Sequence, residues 1–216
     1  MTQPGQRRLR QGFFVVFEGL DGAGKTTQVR LLSAHLRQEG YDVVGLKEPT
    51  DGPWGQQIRQ LAQQGRQRVA STTELTWFIE DRRQDVEQNI RPALARGQIV
   101  ILDRYYFSNI AYQGVLGVAD PEDIRRRNEV FAPPPDLLFL LEISAAQGLQ
   151  RVRQDRDPDD FERLDYLEQV AVLFAGMQFP SLRRLPATLG PEIIHACIWQ
   201  EVQTALARLQ DANQAP

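Results

Sequence analysis

Glycines, a lysine and a threonine at fixed spacing are the clearest sign of chemistry in this sequence. Residues 19–26 read Gly-Leu-Asp-Gly-Ala-Gly-Lys-Thr, which matches the phosphate-loop pattern G-x-x-x-x-G-K-[ST]. The glycines allow backbone N–H groups to turn toward phosphate oxygens. Lys25 can reach the β- and γ-phosphates of a nucleotide, and the hydroxyl of Thr26 can bind Mg²⁺. The residues that we expect to contact ATP are consecutive: Gly19, Leu20, Asp21, Gly22, Ala23, Gly24, Lys25, Thr26 and Thr27.

The segments on either side of this loop have the order that a phosphate site requires. An apolar run over residues 13–18 predicts a buried strand before the loop, and helical periodicity over residues 25–38 predicts a helix after it. The positive end of that helix adds to the attraction for phosphate. This context favours a nucleoside triphosphate site over a chance glycine turn.

Strands and helices alternate along the rest of the chain. Further strands are predicted over residues 42–47, 99–103, 136–143 and 182–185. Helices are predicted over residues 54–64, 71–96, 108–116, 121–131, 144–153, 161–178 and 191–209. The longest helix should begin at a capping box, Ser71 to Glu74, and be kinked or interrupted near its end by Pro92. The alternation predicts an α/β fold with a doubly wound, mostly parallel sheet of about five strands.

The sequence predicts one domain with an N-terminal tail and a lid. The domain spans residues 13–210, and a flexible tail precedes it over residues 1–12. A short lid is expected around residues 151–162, where the sequence is charged and interrupted by proline.

Composition excludes several classes of protein. Hydrophobic residues make up 42% and charged residues 25%, as in ordinary globular domains. No apolar run approaches the ~20 residues that span a membrane, and no signal peptide is visible, so we expect a cytoplasmic protein without a membrane partner. The net charge of −3 argues against nucleic acid as a partner. The single cysteine, Cys197, excludes internal disulfides and is predicted to be a small core residue.

Three segments at strand ends should converge on one cleft. They are the phosphate loop, Glu48-Pro49-Thr50 and Asp103-Arg104-Tyr105, and ligands of such folds gather at the carboxyl ends of the strands. The Asn-Lys-x-Asp stretch of GTPases and the Ser-Gly-Gly signature of transporter ATPases are both absent. The length and these motifs favour a small-molecule kinase.

Two longer motifs carry a resemblance to a known family. The stretches GLDGAGKTT and DRYYFSNIAYQG, with Phe78 and Arg82 four residues apart between them, resemble the thymidylate kinase family over about residues 12–178. The resemblance implies a nucleoside monophosphate kinase fold, conversion of dTMP and ATP to dTDP and ADP with Mg²⁺, and a homodimer. Gly22 in the loop and arginines in the lid are similar to the bacterial kind.

The resemblance also implies roles in phosphoryl transfer. The acceptor is a phosphate monoester, largely a dianion near neutral pH, so it needs cations rather than a strong general base. Arg104 matches the arginine that grips the acceptor phosphate, and its planar guanidinium suits that bidentate task. Asp103 and Thr26 would hold Mg²⁺. Arg153 and Arg156, with Arg151 as a further candidate, would complete the cationic cage from the lid.

Recognition of the acceptor is implied in the same way. Phe78 matches the residue that stacks on thymine, and Arg82 the residue that hydrogen-bonds its carbonyl. Tyr112 would disfavour a 2′-hydroxyl, and Asp21 would bind the 3′-hydroxyl. The remaining residues of the predicted acceptor site are Glu48, Ser108, Asn109 and Gln113.

Three departures from the family pattern keep alternatives open. Lys47 stands where many members have arginine, Asp160 replaces a lid arginine, and residues 186–190 lack a frequent aspartate. A kinase for another deoxynucleotide or nucleoside is one alternative. An ATP-binding regulatory module is another, although Lys25, Asp103 and Arg104 together argue against it.

Overall fold

A computed structural model describes residues 7–212, and it contains a five-stranded sheet in which every neighbouring pair is parallel. The strand order is β2-β3-β1-β4-β5. The strands are β1 (Phe13–Glu18), β2 (Val43–Lys47), β3 (Ile99–Asp103), β4 (Leu137–Glu142) and β5 (Leu182–Pro186). The predicted α/β class and doubly wound parallel sheet are confirmed.

Strand β1 lies at the centre of the sheet because both of its faces are apolar. Phe13, Val15 and Phe17 pack on one side with helices α1 and α9, which span Lys25–Gln38 and Pro191–Ala212. Phe14 and Val16 face the opposite layer. Side chains alternate between the faces of a strand, so one apolar run supplies both cores.

The second layer of helices carries ten of the side chains that line the cleft. Its members are α2 (Pro53–Gln64), α3 (Ser71–Asp85), α4 (Arg91–Ala95), α5 (Tyr106–Val115), α6 (Pro121–Glu129), α7 (Ala145–Asp155) and α8 (Leu164–Gly176). A short 3₁₀ helix, Arg66–Arg68, joins α2 to α3. Helices α5 and α8 begin at Tyr106 and Leu164 rather than at Ser108 and Phe161, which leaves Phe161 in the lid.

The predicted helix over residues 71–96 is interrupted near Pro92, as expected, but its predicted capping box is wrong. It is interrupted by a π-helical turn, Val86–Ile90, just before Pro92, which has no N–H to donate and whose ring clashes with the preceding turn. Its N-cap is Ala70, and Ser71 makes no capping bond. Glu74 is buried and bonded to other segments, so no capping box forms.

The prediction that Cys197 is a core residue is also wrong, because its side chain is exposed. Helix α9 buries Ile194, Ile198 and Val202, which recur every four residues along one face. Cys197 lies outside that stripe.

The residues before β1 contact the domain from Arg7 onward. The N–H of Arg7 donates to the carbonyl of Gly40 at 2.7 Å, and the N–H of Leu9 donates to that of Gly97 at 2.9 Å. The Arg8 guanidinium pairs with Asp42 at 3.1 Å. These bonds hold residues 7–12 against the domain, in place of the flexible tail predicted there. Residues 1–6 of that predicted tail lie outside the described residues.

None of the helices within residues 7–212 is long and apolar enough to cross a membrane.

Candidate active site

The phosphate loop leaves β1 and curls over the start of α1. Gly24 adopts a left-handed conformation, with φ of 90°, directly before the helix. A Cβ atom on Gly22 would lie 2.3 Å from the carbonyl oxygen of Gly148, so only glycine fits between the loop and α7. The sequence therefore specifies both the curvature of the loop and its close packing.

Lys25 folds back onto the loop that carries it. Its Nζ donates to the carbonyl oxygens of Gly19 at 3.0 Å and Leu20 at 2.8 Å. Burial, with a smaller contribution from the Arg104 cation, lowers the pKa of Lys25 from 10.5 to about 8. The lysine is thus a desolvated cation whose bonds an anionic ligand can replace.

Asp103, at the end of β3, presents a carboxylate to the loop. The hydroxyl of Thr26 donates to its Oδ2 at 2.5 Å, and its Oδ1 is buried without a partner among the described residues. No cluster of three or more metal-binding side chains occurs in the described part of the chain. Mg²⁺ is commonly held by one or two carboxylates, water and phosphate oxygens, so this pair fits that ion.

Arg104 follows β3 in a left-handed conformation, with φ of 72°, which turns its side chain toward the loop. Its guanidinium donates to Asp21 at 2.7 Å and to the Ser108 hydroxyl at 2.9 Å, and it lies 3.4 Å from the Tyr112 hydroxyl. Burial alone would raise the pKa of Asp21, but the cations of Arg104 and Lys25 outweigh it and hold that pKa well below 3.8. Residues from the phosphate loop, β3 and α5 therefore meet at one point.

Glu18, which the sequence analysis missed, supports this turn from beneath. Its Oε1 accepts the N–H groups of Tyr105 at 2.8 Å and Ser108 at 3.0 Å, and its Oε2 accepts the Ser108 hydroxyl at 2.7 Å. Burial raises the pKa of Glu18, against the lowering effect of Arg104. A carboxylate at the end of an otherwise apolar strand was the signal that could have identified it.

A chain of buried polar side chains, here called the acceptor wall, crosses the cleft from α3 to α5. Arg82 donates to Glu48 at 2.5 Å and also bonds Asn109. Asn109 Nδ2 donates to Gln113 at 2.7 Å, and Gln113 Nε2 donates to Glu74 at 2.8 Å. Among these five residues, Glu74 was not predicted from the sequence.

The charged ends of the acceptor wall fix its polarity. Glu74 can only accept a hydrogen bond when ionised, and Arg82 can only donate. The amide groups of Asn109 and Gln113 therefore have one consistent orientation between them. Each NH₂ group makes one hydrogen bond within the wall, and both residues line the cleft.

Two aromatic rings face each other across the cleft. Phe78 on α3 and Phe161 in the lid meet edge to face, with 6.2 Å between their ring centroids. Both rings line the cleft. A flat base can stack here only if it enters the space beside Phe78.

The lid arginines occupy three different environments. Arg156 makes two bonds to the buried carboxylate of Glu162, at 2.7 and 2.6 Å, and lines the cleft. Arg151 donates to the carbonyls of Gly22 at 3.1 Å and Ala187 at 3.0 Å, so it holds the phosphate loop. Arg153 is exposed at the end of α7 and makes no hydrogen bond or ion pair with any described residue.

The loop after β2 is fixed by residues that the sequence analysis did not identify. Asp81 accepts both the N–H and the hydroxyl of Thr50, at 2.8 and 2.6 Å. Arg59 donates to the carbonyl of Thr50 at 2.6 Å. Lys47 is exposed beside them and lines the cleft. Neither Asp81 nor Arg59 belongs to a motif, so no sequence signal marked them.

Most of the predicted residues line one cleft of about 1120 Å³. Those that line it are Asp21, Thr26, Glu48, Phe78, Asp103, Arg104, Ser108, Asn109, Tyr112, Gln113 and Arg156. Arg82 lies beneath the surface and supports Glu48 and Asn109. His35 and His195 lie elsewhere, where α1 meets α9, 3.0 Å apart.

Comparison with known proteins agrees with this arrangement. The family model described as "Thymidylate kinase" matches residues 17–198. A protein named thymidylate kinase from Desulfotalea psychrophila is 43% identical over 90% of this chain and 96% of its own length. One of the same name from Xanthomonas campestris pv. campestris strain B100 is 45% identical over 91% of this chain and 85% of its own. The chain belongs to the thymidylate kinase family.

Proposed function

We propose that this protein transfers the γ-phosphoryl group of ATP to dTMP, giving dTDP and ADP. One observation carries the proposal: Asp21 of the donor loop and Arg104 of the acceptor side are in contact at 2.7 Å within one cleft. Two phosphates bound on either side of this contact would be adjacent. Family membership supports the same reaction.

Two cationic side chains of this protein would bind the phosphates between which the transfer takes place. Lys25 would exchange the loop carbonyls for phosphate oxygens of ATP, and Arg104 would bind the acceptor phosphate with two parallel N–H bonds. No general base is required, because a monophosphate dianion is already deprotonated. Positioning and charge neutralisation then supply most of the catalysis.

Mg²⁺ is the metal that we propose for the donor phosphates. Thr26 and Asp103 would hold it, and the unpartnered Oδ1 of Asp103 supports this choice. When bound, the ion neutralises negative charge on the β- and γ-phosphates. Arg156 would approach the same phosphates by leaving Glu162, and Arg153 would need a movement of the lid to reach them.

The polarity of the acceptor wall favours thymine over cytosine. Asn109 and Gln113 each offer an N–H, and the carbonyl oxygens of thymine accept such bonds. The 4-amino group of cytosine is a donor and would leave one of these groups without a partner. The Tyr112 hydroxyl lies 3.3 Å from Asp21, where the sugar of a nucleotide stacked on Phe78 would lie, and we assign sugar recognition to this pair.

Three further properties are proposed on the same basis. We assign residues 13–210 to one domain with a short lid around residues 151–162, and we expect a homodimer. A cytoplasmic location suits an enzyme that uses the nucleotide pools of the cell. Size-exclusion chromatography with light scattering measures the oligomeric state.

The test is a steady-state assay of phosphoryl transfer to dTMP, dUMP, dCMP, dGMP and thymidine. We expect dTMP to have the highest kcat/KM and dCMP to be lower by about 10²–10⁴-fold, because it leaves buried polar groups unpaired. Equal use of dCMP and dTMP would contradict the proposal and favour a kinase for other deoxynucleotides. ATP binding without ADP formation would favour a regulatory module.

A further inference from the structure

We infer that Arg66 is a positioning residue that connects the acceptor wall to the lid. Arg66 begins the 3₁₀ helix between α2 and α3, outside every motif of the sequence. Its guanidinium makes two hydrogen bonds to Glu74, Nε to Oε2 at 2.9 Å and Nη2 to Oε1 at 2.5 Å. The same Oε1 accepts Nε2 of Gln113. Arg66 therefore holds the carboxylate that orients a base-facing amide.

The other contacts of Arg66 are with the lid. Its backbone N–H donates to the carboxylate of Asp160 at 2.7 Å, and the N–H of Asp160 donates to the carbonyl of Ala62 at 3.2 Å. Its guanidinium lies 4.3 Å from the ring centroid of Phe161 and 4.7 Å from that of Tyr166. Arg66 thus binds the lid through its backbone N–H and through the ring of Phe161, and it contacts α8 through the ring of Tyr166.

The connection continues to the place where the base would stack. Phe161 meets Phe78 edge to face across the cleft, and Tyr166 donates to the backbone carbonyl of Tyr112 at 2.5 Å. The Arg66–Glu74 ion pair is shielded from water, since the Glu74 side chain is only 2% exposed. Shielded bidentate pairs hold their geometry better than exposed ones. We therefore expect a displacement of Glu74 to move Arg66 with it.

This arrangement gives Asp160 a specific role. Its carboxylate accepts the backbone N–H of Arg66, whose guanidinium lies over the ring of the neighbouring Phe161. A base bound at Gln113 and Phe78 would stabilise Arg66 and, through it, the closed lid. By linkage, a closed lid would then tighten binding of the acceptor. The inference rests on the proposed function, because it requires an acceptor base at Gln113.

The test compares wild type with two variants that break the connection on different sides. Arg66→Met removes the ion pair and the contact of the guanidinium with Phe161. Asp160→Ala removes the bond from the lid carboxylate to the backbone N–H of Arg66 and leaves the bonds between Arg66 and Glu74. The control is Arg68→Met in the same short helix, where the arginine bonds the exposed Gln64. Hydrogen exchange of residues 156–163 is measured in the full chain with and without dTMP. The ratio of ATP hydrolysis to dTDP formation is measured separately.

We expect dTMP alone to slow exchange of the lid in wild type and in Arg68→Met. In both test variants this slowing should be lost, and the ratio of hydrolysis to transfer should rise about 5-fold or more. Wild-type responses in both variants would overturn the inference, as would a lower melting temperature with an unchanged ratio. If Arg66→Met does not fold, Asp160→Ala decides the question. A wild type that makes no dTDP contradicts the proposed function instead.

Discussion

Arg104 combines an uncommon backbone conformation with the largest number of contacts to predicted site residues. A positive φ in a non-glycine residue is a strained conformation that the surroundings must hold in place. Here the N–H of Arg104 donates to the carbonyl of Phe17 at 2.9 Å, while Asp21 and Ser108 bind its guanidinium. The side chain is therefore oriented before any phosphate arrives.

Arg104→Ala should lower kcat/KM for dTMP by about 10³–10⁵-fold, since it removes the cation aimed at the transferring group. The fold should survive, which circular dichroism checks. The control is Arg127→Ala on the exposed face of α6, where the arginine pairs with Asp123 and should leave kinetics unchanged. Turnover by Arg104→Ala at the wild-type rate would refute the role assigned to this residue.

The lowered pKa of Lys25 predicts a pH dependence for ATP binding. The empty site loses the lysine proton above pH about 8, whereas bound phosphates would keep it protonated. Binding then takes up a proton, so the Kd for ATP should rise above pH 8 by up to about tenfold per pH unit.

Calorimetry in two buffers with different enthalpies of ionisation measures that proton uptake. Lys25→Met is the control. It should bind ATP more weakly, and its Kd should not change between pH 7 and pH 9 because the titrating amine is absent. An affinity of the wild-type protein that is constant over this range contradicts the assignment.

At the scale of elements, the start of helix α5 depends on a carboxylate that strand β1 supplies. The carboxylate of Glu18, in β1, accepts N–H groups at the N-terminus of this helix, where they have no acceptor within the helix. The helix in turn carries Ser108, Asn109, Tyr112 and Gln113 into the cleft. The position of the acceptor site is thus set by one buried side chain of β1.

Glu18→Gln should reduce the free energy of unfolding by about 1–3 kcal/mol, because an amide has one acceptor oxygen where the carboxylate uses two. Urea denaturation measures this loss, and transfer to dTMP should fall as Arg104 loses the support of Ser108. Asp120→Asn at the N-cap of α6 is the control, since asparagine caps equally well. Unchanged stability in Glu18→Gln would show that α5 does not depend on this cap.

The success of prediction from sequence differed among elements for physical reasons. The strands were predictable because β1, β3 and β4 are apolar on both faces and end at polar motifs. The capping box at Ser71 failed because Glu74 gains more from Arg66 and Gln113 in the interior than from its own helix. The disturbance near Pro92 was predictable from the proline itself, but its form as a π-helical turn was not. Local patterns cannot reveal such long-range partners.

At the scale of the whole molecule, the cleft brings six basic side chains together with eight acidic ones, in a chain whose net charge is −3. The basic residues that line the cleft come from separate segments: Arg30, Arg37, Lys47, Arg59, Arg104 and Arg156. Motifs identified Arg104, and the charged lid indicated Arg156. Lys47 was noted as a departure from the family pattern, and the other three, on α1 and α2, became candidates only when the fold placed them at the cleft.

The central claim is that donor and acceptor phosphates meet between Lys25 and Arg104. In its most direct test, the protein is incubated with Mg²⁺, ATP labelled at the γ-phosphate with a radioactive isotope, and either dTMP or dCMP. The position of the label is then followed over time. We predict that the label appears in the terminal phosphate of dTDP in step with ADP and that dCMP remains largely unlabelled. Release of the label as inorganic phosphate at the same rate with and without dTMP would contradict the account.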